Sequence, residues 1–288
     1  MGALEGKVAV VAGATRGIGK GIAVELAAAG AFVYATGRQA TPSPDRTGSL
    51  VAAREAIDAI GGQGTTVLCD HNDEASVVAL FDRVRSDHGK VDIVVNSVFN
   101  TPDFNRTIDK KFWEMPIGEM WRDVVDIGTR TAYLTLGYAA PLMVNRGGAP
   151  GLVVNVSGRG AEMYRYNVVY GVGKAALDKM TRDMAVEFAD HNIAVVSLWP
   201  NTTRTEAMEA RAAAGDPMFE SLAGFETPRY SGRAVVALAT DPAAMARSGN
   251  HFWTAELAHH YGFLDENGND HVLPAPENDP YLLGKQGK

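Results

Sequence analysis

The sequence predicts an α/β fold: a doubly wound parallel sheet of about seven strands with helices on both faces. Short apolar, β-branched stretches alternate with segments of helical periodicity along the chain. The first of these stretches runs into a glycine-rich turn, which a helix follows. No repeat and no second hydrophobic core interrupts this order, so residues 1–288 are expected to form a single domain.

Composition and charge argue against several classes of function. The net charge of −7 disfavours nucleic acid or an anionic membrane surface as a general partner. Cys69 is the only cysteine, so neither an internal disulfide nor a cysteine-based zinc site is possible, and the histidines show no metal-ligand spacing. No apolar run approaches the ~20 residues that span a bilayer, and no signal peptide is recognisable. We therefore expect a cytoplasmic protein without a metal site or a membrane span.

The predicted elements follow one another in a regular order. Residues 7–12 are apolar and β-branched, which is typical of a strand buried on both faces. Further strands are expected at 31–36, 65–68, 91–96, 152–156, 193–199 and 251–254. Helices are expected from the glycine-rich turn to residue 29 and at 50–60, 74–88, 120–146, 169–191 and 231–240. Two connections are functional candidates: a long loop at 97–118, and a segment at 204–228 that is predicted to be a mobile substrate lid.

The glycine-rich turn, Gly13-Ala14-Thr15-Arg16-Gly17-Ile18-Gly19, is typical of a Rossmann-type dinucleotide-binding fold. Glycines permit a tight turn and let a phosphate approach backbone N–H groups. The helix that follows directs the positive end of its dipole at that phosphate. Taken alone, however, the turn is about equally consistent with an ordinary strand–turn–helix connection.

Residues after the second predicted strand indicate which dinucleotide is bound. An enzyme that prefers NAD carries Asp or Glu at this point, whereas this chain has Gly37 followed by Arg38. A second cation, Arg16, lies in the glycine-rich turn. Because an acidic residue repels a 2′-phosphate and arginine pairs with it, the pattern favours NADP(H). The alternative for Arg38 is a solvated loop arginine.

Asp70 follows the third predicted strand and is either an adenine contact or a turn residue before the next helix.

Three side chains are candidates for the chemistry. Tyr170 and Lys174 are four residues apart, so on a helix they share one face. A lysine cation beside a phenol favours the phenolate, and we expect it to lower the pKa of Tyr170 toward working pH. Ser157 follows an apolar strand, whose carboxyl end faces the crevice in which open α/β sheets bind ligands. The Tyr-x-x-x-Lys pattern also arises by chance, and it gains weight only from the serine and the glycine-rich turn.

The segments VAGATRGIGKGIA and YGVGKAALDK resemble the short-chain dehydrogenase/reductase family, and the resemblance covers nearly the whole chain. It implies that Ser157 bonds the substrate oxygen and that Tyr170 delivers or removes its proton. It also implies that Lys174 holds the nicotinamide ribose and lowers the pKa of Tyr170. The NADP(H) site that the resemblance implies comprises Gly13, Thr15, Arg16, Gly17, Ile18, Gly19, Arg38, Asp70, Asn96, Tyr170, Lys174, Pro200, Thr203 and Thr205.

Two departures from the family pattern concern the catalytic residues. The catalytic Asn of the family falls on Gly128, which keeps the backbone carbonyl but loses the amide that helps to hold a proton-relaying water. The usual Asn-Asn-Ala-Gly run reads Asn96-Ser97-Val98-Phe99, so Phe99 is expected to narrow the crevice beside the nicotinamide.

The leading hypothesis is an NADP-dependent oxidoreductase of the carbonyl reductase type, acting on an apolar ketone, aldehyde or steroid-like substrate. The alternative, which Gly128 favours, is an NADP(H)-binding protein with little turnover and a sensor or regulatory role. A dehydratase or epimerase is a third hypothesis, although such enzymes usually carry a larger substrate domain. The helices at 120–146 and 169–191 have apolar faces like those through which family members dimerise, so a homodimer or homotetramer is expected.

Overall fold

A computed structural model describes residues 2–43, 47–100, 110–216, 219 and 221–273. Seven strands in these ranges form one parallel sheet: β1 Val8–Ala12, β2 Phe32–Gly37, β3 Gly64–Leu68, β4 Ile93–Asn96, β5 Gly151–Val156, β6 Ile193–Trp199 and β7 His251–Trp253. Their order across the sheet is β3-β2-β1-β4-β5-β6-β7. The predicted α/β class and parallel sheet are therefore confirmed.

The helices are α1 Gly17–Ala28, α2 Leu50–Ala59, α3 Glu74–His88, α4 Ile117–Trp121, α5 Thr131–Val144, α6 Val168–Phe188, α7 Glu206–Ala213, α8 Pro228–Thr240 and α9 Thr254–Tyr261. A π-helical segment, Arg122–Arg130, joins α4 to α5, so the helix predicted over 120–146 is not α-helical throughout. Helix α9 was not predicted. Helix α7 lies within the predicted lid, whose residues 217, 218 and 220 fall outside the described ranges, as do residues 101–109 of the long loop.

Polar side chains determine where several helices begin. Ser49 precedes α2 and accepts a hydrogen bond from the backbone N–H of Ala52 at 3.1 Å. Asn167 precedes α6 and accepts from the N–H of Tyr170 at 2.9 Å. Such caps satisfy backbone donors that have no partner within the helix. The cap on α6 matters for function because it sets the position of Tyr170 in the first turn.

Alternating side chains on the strands supply two hydrophobic cores. On β1, Ala9 and Val11 face one core, whereas Val8 and Val10 face the other. Helices α1, α2 and α8 contribute apolar residues to the first core, and α3, α5 and α6 contribute to the second. A parallel sheet covered on both faces in this way accounts for the nearly continuous apolar character of its strands.

The order of the strands creates a binding crevice. β1 pairs with β2 on one side and with β4 on the other, so the direction of winding changes between β1 and β4. Ligands of open α/β sheets bind at this point, beyond the carboxyl ends of the strands. The glycine-rich turn follows β1 and Ser157 follows β5, so both lie at the same edge.

Within the described ranges, no helix has the length and apolarity to cross a membrane.

Candidate active site

A cavity of ≈ 540 Å³ opens at the carboxyl edge of the sheet. All but one of the predicted site residues line it: Gly13, Thr15, Arg16, Gly17, Ile18, Gly19, Arg38, Asp70, Ser157, Tyr170, Lys174, Pro200, Thr203 and Thr205. The exception is Asn96, whose buried side chain instead donates from Nδ2 to Oδ1 of Asn155 at 2.8 Å. The structure therefore brings the glycine-rich turn and the Ser157, Tyr170 and Lys174 side chains to a single cavity.

The glycine-rich turn forms a close main-chain cradle. Gly13 has a φ of +82°, and a Cβ atom there would lie 2.7 Å from the carbonyl oxygen of Ser97. A Cβ atom on Gly19 would lie 2.2 Å from the carbonyl oxygen of Gly13. Glycine is therefore needed at both positions, and it lets the turn fold back onto the start of α1. The first N–H groups of a helix bind anions, so this cradle fits a phosphate group.

Two arginines lie beside the cradle. Arg38 is exposed at the cavity, and Nη1 of Arg16 donates to Oγ1 of Thr47 at 3.2 Å. A Cβ atom on Gly37 would lie 2.6 Å from Cγ2 of Thr15, so the Thr15 methyl occupies the space in which an acidic side chain would begin. This end of the cavity consequently offers cations and excludes a carboxylate at position 37.

Asp70 combines the two properties that the sequence suggested as alternatives. It lines the cavity, and its Oδ1 accepts from the N–H of Asn72 at 3.0 Å in the turn that precedes α3. The turn hydrogen bond accounts for an aspartate at this position without any ligand, so an adenine contact remains a prediction.

Ser157, Tyr170 and Lys174 are held by β5 and α6. The N–H of Ser157 donates to the carbonyl oxygen of Leu198 at 2.8 Å, which continues the pairing of β5 with β6 by one residue. Its Oγ donates to the carbonyl oxygen of Lys174 at 3.2 Å. Tyr170 lies in the first turn of α6 and Lys174 lies one turn later, as the spacing predicted. The serine hydroxyl thus connects the end of the strand directly to the helix that carries the other two side chains.

Lys174 is buried between two aromatic rings. Its Nζ lies 4.8 Å from the ring centroid of Phe99 and 5.7 Å from that of Tyr170. Nζ also donates to the carbonyl oxygen of Val156 at 3.3 Å. Burial lowers the pKa of Lys174 to about 8, although the nearby carboxylate of Asp178 acts in the opposite direction. The ammonium group therefore titrates much closer to neutral pH than an exposed lysine does.

Phe99 packs against the π-helical segment at Gly128. A Cβ atom on Gly128 would lie 3.6 Å from Cδ2 of Phe99, which is an ordinary contact. The rings of Phe99 and Tyr170 are 6.2 Å apart and nearly perpendicular. π-Helical turns occur often at functional sites, and the π-helical segment between α4 and α5 lies at the catalytic end of the cavity. The Phe99 ring is therefore the nearest neighbour of any side chain at position 128.

The loop after β6 completes the wall of the cavity. The N–H of Asn201 donates to Oε2 of the buried Glu226 at 3.1 Å, and Thr203 forms a parallel bridge with the same residue. Burial raises the pKa of Glu226 to about 8, against the effect of the Asn201 hydrogen bond and with a further increase from Asp265. Glu226, which the sequence did not indicate, therefore holds the loop that carries Pro200 and Thr203.

Other residues near Tyr170 were also missed. A Cβ atom on Gly160 would lie 2.4 Å from Cε1 of Tyr170, so the phenol ring packs directly on the backbone there. The ring of Tyr166, a residue with a φ of +60°, lies 5.0 Å from that of Tyr170. Both residues lie between Ser157 and Tyr170 in the chain. That position could have indicated them, because a segment that joins two residues of one site must pass close to it.

Comparison with known proteins identifies the family. Residues 7–215 match the family model described as short chain dehydrogenase. The chain belongs to the short-chain dehydrogenase/reductase family. It is 38% identical to "Dehydrogenase/reductase SDR family member 1" of Mus musculus, over 98% of this chain and 88% of that protein. The protein of the same name from Homo sapiens is 40% identical, over 92% of this chain and 85% of its own length.

A solved structure of the same family shares the fold. It is a 7α-hydroxysteroid dehydrogenase complexed with NADH and 7-oxo glycochenodeoxycholic acid. The TM-score is 0.71 at 26% identity, with 94% of this chain and 97% of that chain covered. Members of the family are oxidoreductases that use NAD(P)(H), and the main-chain cradle described above fits the phosphates of such a cofactor.

Proposed function

We propose that the protein transfers hydride between NADP(H) and the carbonyl or alcohol carbon of an apolar ketone, aldehyde or steroid-like substrate. The main support for this proposal is that Ser157, Tyr170 and Lys174 line the same cavity as the phosphate cradle. The nicotinamide cofactor, when bound, supplies the hydride for reduction or accepts it in oxidation.

The protein's own residues orient the substrate oxygen and transfer its proton. The Tyr170 phenol protonates the oxygen during reduction and removes the proton during oxidation. The Ser157 hydroxyl, which lies at the end of β5, orients the oxygen by a hydrogen bond. The Lys174 ammonium stabilises the phenolate form of Tyr170 and hydrogen-bonds the cofactor ribose. Burial strengthens these electrostatic effects because little water competes for the charges.

Selection of NADP(H) is supported by Arg16, Arg38 and the absence of an acidic side chain at Gly37. The family as such does not decide this point, since the 7α-hydroxysteroid dehydrogenase structure contains NADH. Fluorescence titration with both reduced cofactors tests the proposal. We expect tighter binding of NADPH, whereas equal or tighter binding of NADH would contradict the assignment.

The apolar character of the substrate is supported by the side chains on the catalytic side of the cavity, which include Val98, Phe99, Ile127 and Tyr166. The steroid in the related structure belongs to the same chemical class. A panel of ketones, aldehydes and steroids assayed for oxidation of NADPH tests the reaction. We expect consumption of NADPH with at least one apolar carbonyl compound, and no consumption with any of them would contradict the proposal.

A binding protein with little turnover is the second candidate. It is favoured by Gly128, which lacks the side-chain amide of the family's catalytic Asn. It is also favoured by the Phe99 ring, which packs against Gly128 and contacts Lys174. The two candidates differ in one measurement. The binding protein would bind NADPH tightly and still fail to oxidise it with every member of the substrate panel, whereas the reductase would turn over.

We also propose a homodimer or homotetramer that forms through α5 and α6. Tyr133 on α5 and Val172 and Val186 on α6 are exposed apolar side chains of the kind that subunit contacts cover. One chain has a mass of 30.7 kDa, so light scattering that yields this mass at micromolar concentration would contradict the proposal. We also propose a cytoplasmic location, which cell fractionation would test.

A further inference from the structure

A carboxylate from the predicted lid reaches the start of α1. Glu206 is the first residue of α7, and its Oε2 accepts a hydrogen bond from the N–H of Gly17 at 2.7 Å. Its Oε1 forms an ion pair with Nζ of Lys20 in the next turn of α1. Although burial raises the pKa of Glu206, the Lys20 hydrogen bond and charge lower it below its ordinary value. The group is therefore an anion at neutral pH.

This carboxylate lies at the end of α1 that attracts phosphates. Gly17 is the first residue of α1 and lines the cavity together with Ile18 and Gly19. Thr205 packs on the same residue, since a Cβ atom on Gly17 would lie 3.1 Å from its Cγ2. Helix N-termini favour negative charge through their free N–H groups and their dipole. Glu206 thus uses the interaction that a bound phosphate would need.

We infer that Glu206 sets the affinity for the cofactor by competing with its pyrophosphate for the N–H of Gly17. The inference rests on the proposed function in one respect: the ligand is a nicotinamide dinucleotide. When the pyrophosphate binds, it either displaces the Glu206 carboxylate or lies beside it, so that two anions share the N-terminus of α1. Each of these outcomes reduces the affinity, the first by the loss of a charge-assisted hydrogen bond and an ion pair, the second by repulsion.

A different role would have the opposite effect. If Glu206 serves only to fasten α7 over the bound cofactor, its removal weakens binding because the wall of the cavity loosens. The sign of the change in affinity therefore distinguishes competition from fastening.

The test compares two substitutions on α7 in the full-length protein. Glu206→Gln keeps the shape and removes the charge. Glu209→Gln is the matched control, because Glu209 is exposed on the same helix and pairs with Arg204 outside the cradle. Fluorescence titrations with NADPH and NADH are expected to show about fivefold or greater tightening for Glu206→Gln with both cofactors, and no change for Glu209→Gln. Both cofactors contain the pyrophosphate, so the result does not depend on a preference for NADP(H).

Two further measurements exclude indirect causes. Inorganic pyrophosphate, used as a competitor of NADPH binding, is expected to compete at lower concentration in Glu206→Gln than in the parent protein. The melting temperature of the cofactor-free Gln variant is expected to fall slightly, because α1 loses an anion at its N-terminus. Tighter binding by a less stable protein cannot result from general stabilisation. Glu206→Ala, as a second variant, is expected to change affinity in the same direction.

Unchanged or weaker cofactor binding by both Glu206 variants would overturn the inference. The inference rests only on the binding of a nicotinamide dinucleotide, and a failure of that part of the proposed function is recognised separately, because the parent protein would then bind neither NADPH nor NADH.

Discussion

The two ends of the cavity are built from different kinds of groups. The phosphate end consists of main-chain N–H groups of the glycine-rich turn and of the Arg16 and Arg38 side chains at or near the surface. The catalytic end consists of side chains from separate elements, and both Ser157 and Lys174 are buried, at 6% and 7% exposure. The first end depends mainly on the backbone conformation of the glycine-rich turn. The second requires a charge to be held away from water.

This difference has an energetic consequence. The exposed Arg38 side chain keeps most of its hydration, so its charge costs the folded state little. A buried ammonium loses its hydration, and this loss is the main reason why the pKa of Lys174 is lowered. Sites of this kind trade stability for activity. We therefore expect cofactor affinity to depend mainly on the phosphate end. Turnover should depend on the catalytic end, whose buried charge should lower the stability of the protein.

The largest expected effect is on turnover at the catalytic end. Tyr170→Phe keeps the aromatic contacts and removes only the proton donor, so turnover should fall by roughly 10²-fold or more while NADPH affinity stays nearly the same. Steady-state kinetics and fluorescence titration measure the two quantities. Tyr164→Phe is the control, because Tyr164 is exposed and does not line the cavity. If Tyr170→Phe reduces substrate as fast as the parent, the catalytic assignment is wrong.

The second prediction concerns the stability cost of Lys174. Lys174→Met removes the buried charge, so the free energy of unfolding in urea should rise by on the order of 1–2 kcal/mol at pH 7, even though turnover and cofactor affinity fall. Lys179→Met, at an exposed lysine of the same helix, should change it by less than about 0.5 kcal/mol.

The same variant has a defined pH dependence. The pKa of Lys174 is about 8 in the folded protein against 10.5 ordinarily, so the unfolded state binds more protons between these values. The contribution of this group to stability therefore rises with pH in that window. The gap between Lys174→Met and the parent should consequently shrink from pH 7 to pH 10. A gap that stays constant would show that the charge of Lys174 is not the cause.

The third prediction concerns affinity at the phosphate end. Arg38→Asp should weaken NADPH binding about tenfold or more, because a carboxylate repels the 2′-phosphate that arginine would pair with. NADH lacks this phosphate and is the internal control, with a change of less than about threefold expected. Turnover at saturating cofactor should be nearly unaffected. Equal weakening of both cofactors would instead indicate a general loss of structure.

The smallest expected effect tests the packing of Phe99 on Gly128. Gly128→Asn should lower turnover by about threefold to tenfold, because the amide must push the Phe99 ring away from Lys174. Gly128→Ala is the matched control and should be tolerated, since its Cβ atom makes only an ordinary contact with the ring. Combining Gly128→Asn with Phe99→Ala should restore part of the loss. Higher turnover of Gly128→Asn alone would show that the amide restores a proton relay and that the ring does not obstruct it.

The sequence by itself determined the fold and the contents of the phosphate end. Strand and helix periodicity predicted the parallel sheet, and the prediction for α3 and β6 agrees to the residue. The glycine spacing indicated the cradle because a turn followed by a helix is a local structure, decided by residues close together in the chain. The spacing of Tyr170 and Lys174 was equally local, since both lie on one helix.

Only the tertiary structure decided how these local pieces meet. The bond between Gly17 and Glu206 joins residues 189 positions apart, and the contact of Phe99 with Gly128 and Lys174 joins three separate elements. The same is true of Glu226, which supports the loop after β6. No periodicity in a sequence records such pairs, because they depend on how the elements pack around the sheet. Burial, which sets the pKa of Lys174, is likewise a property of the packed fold.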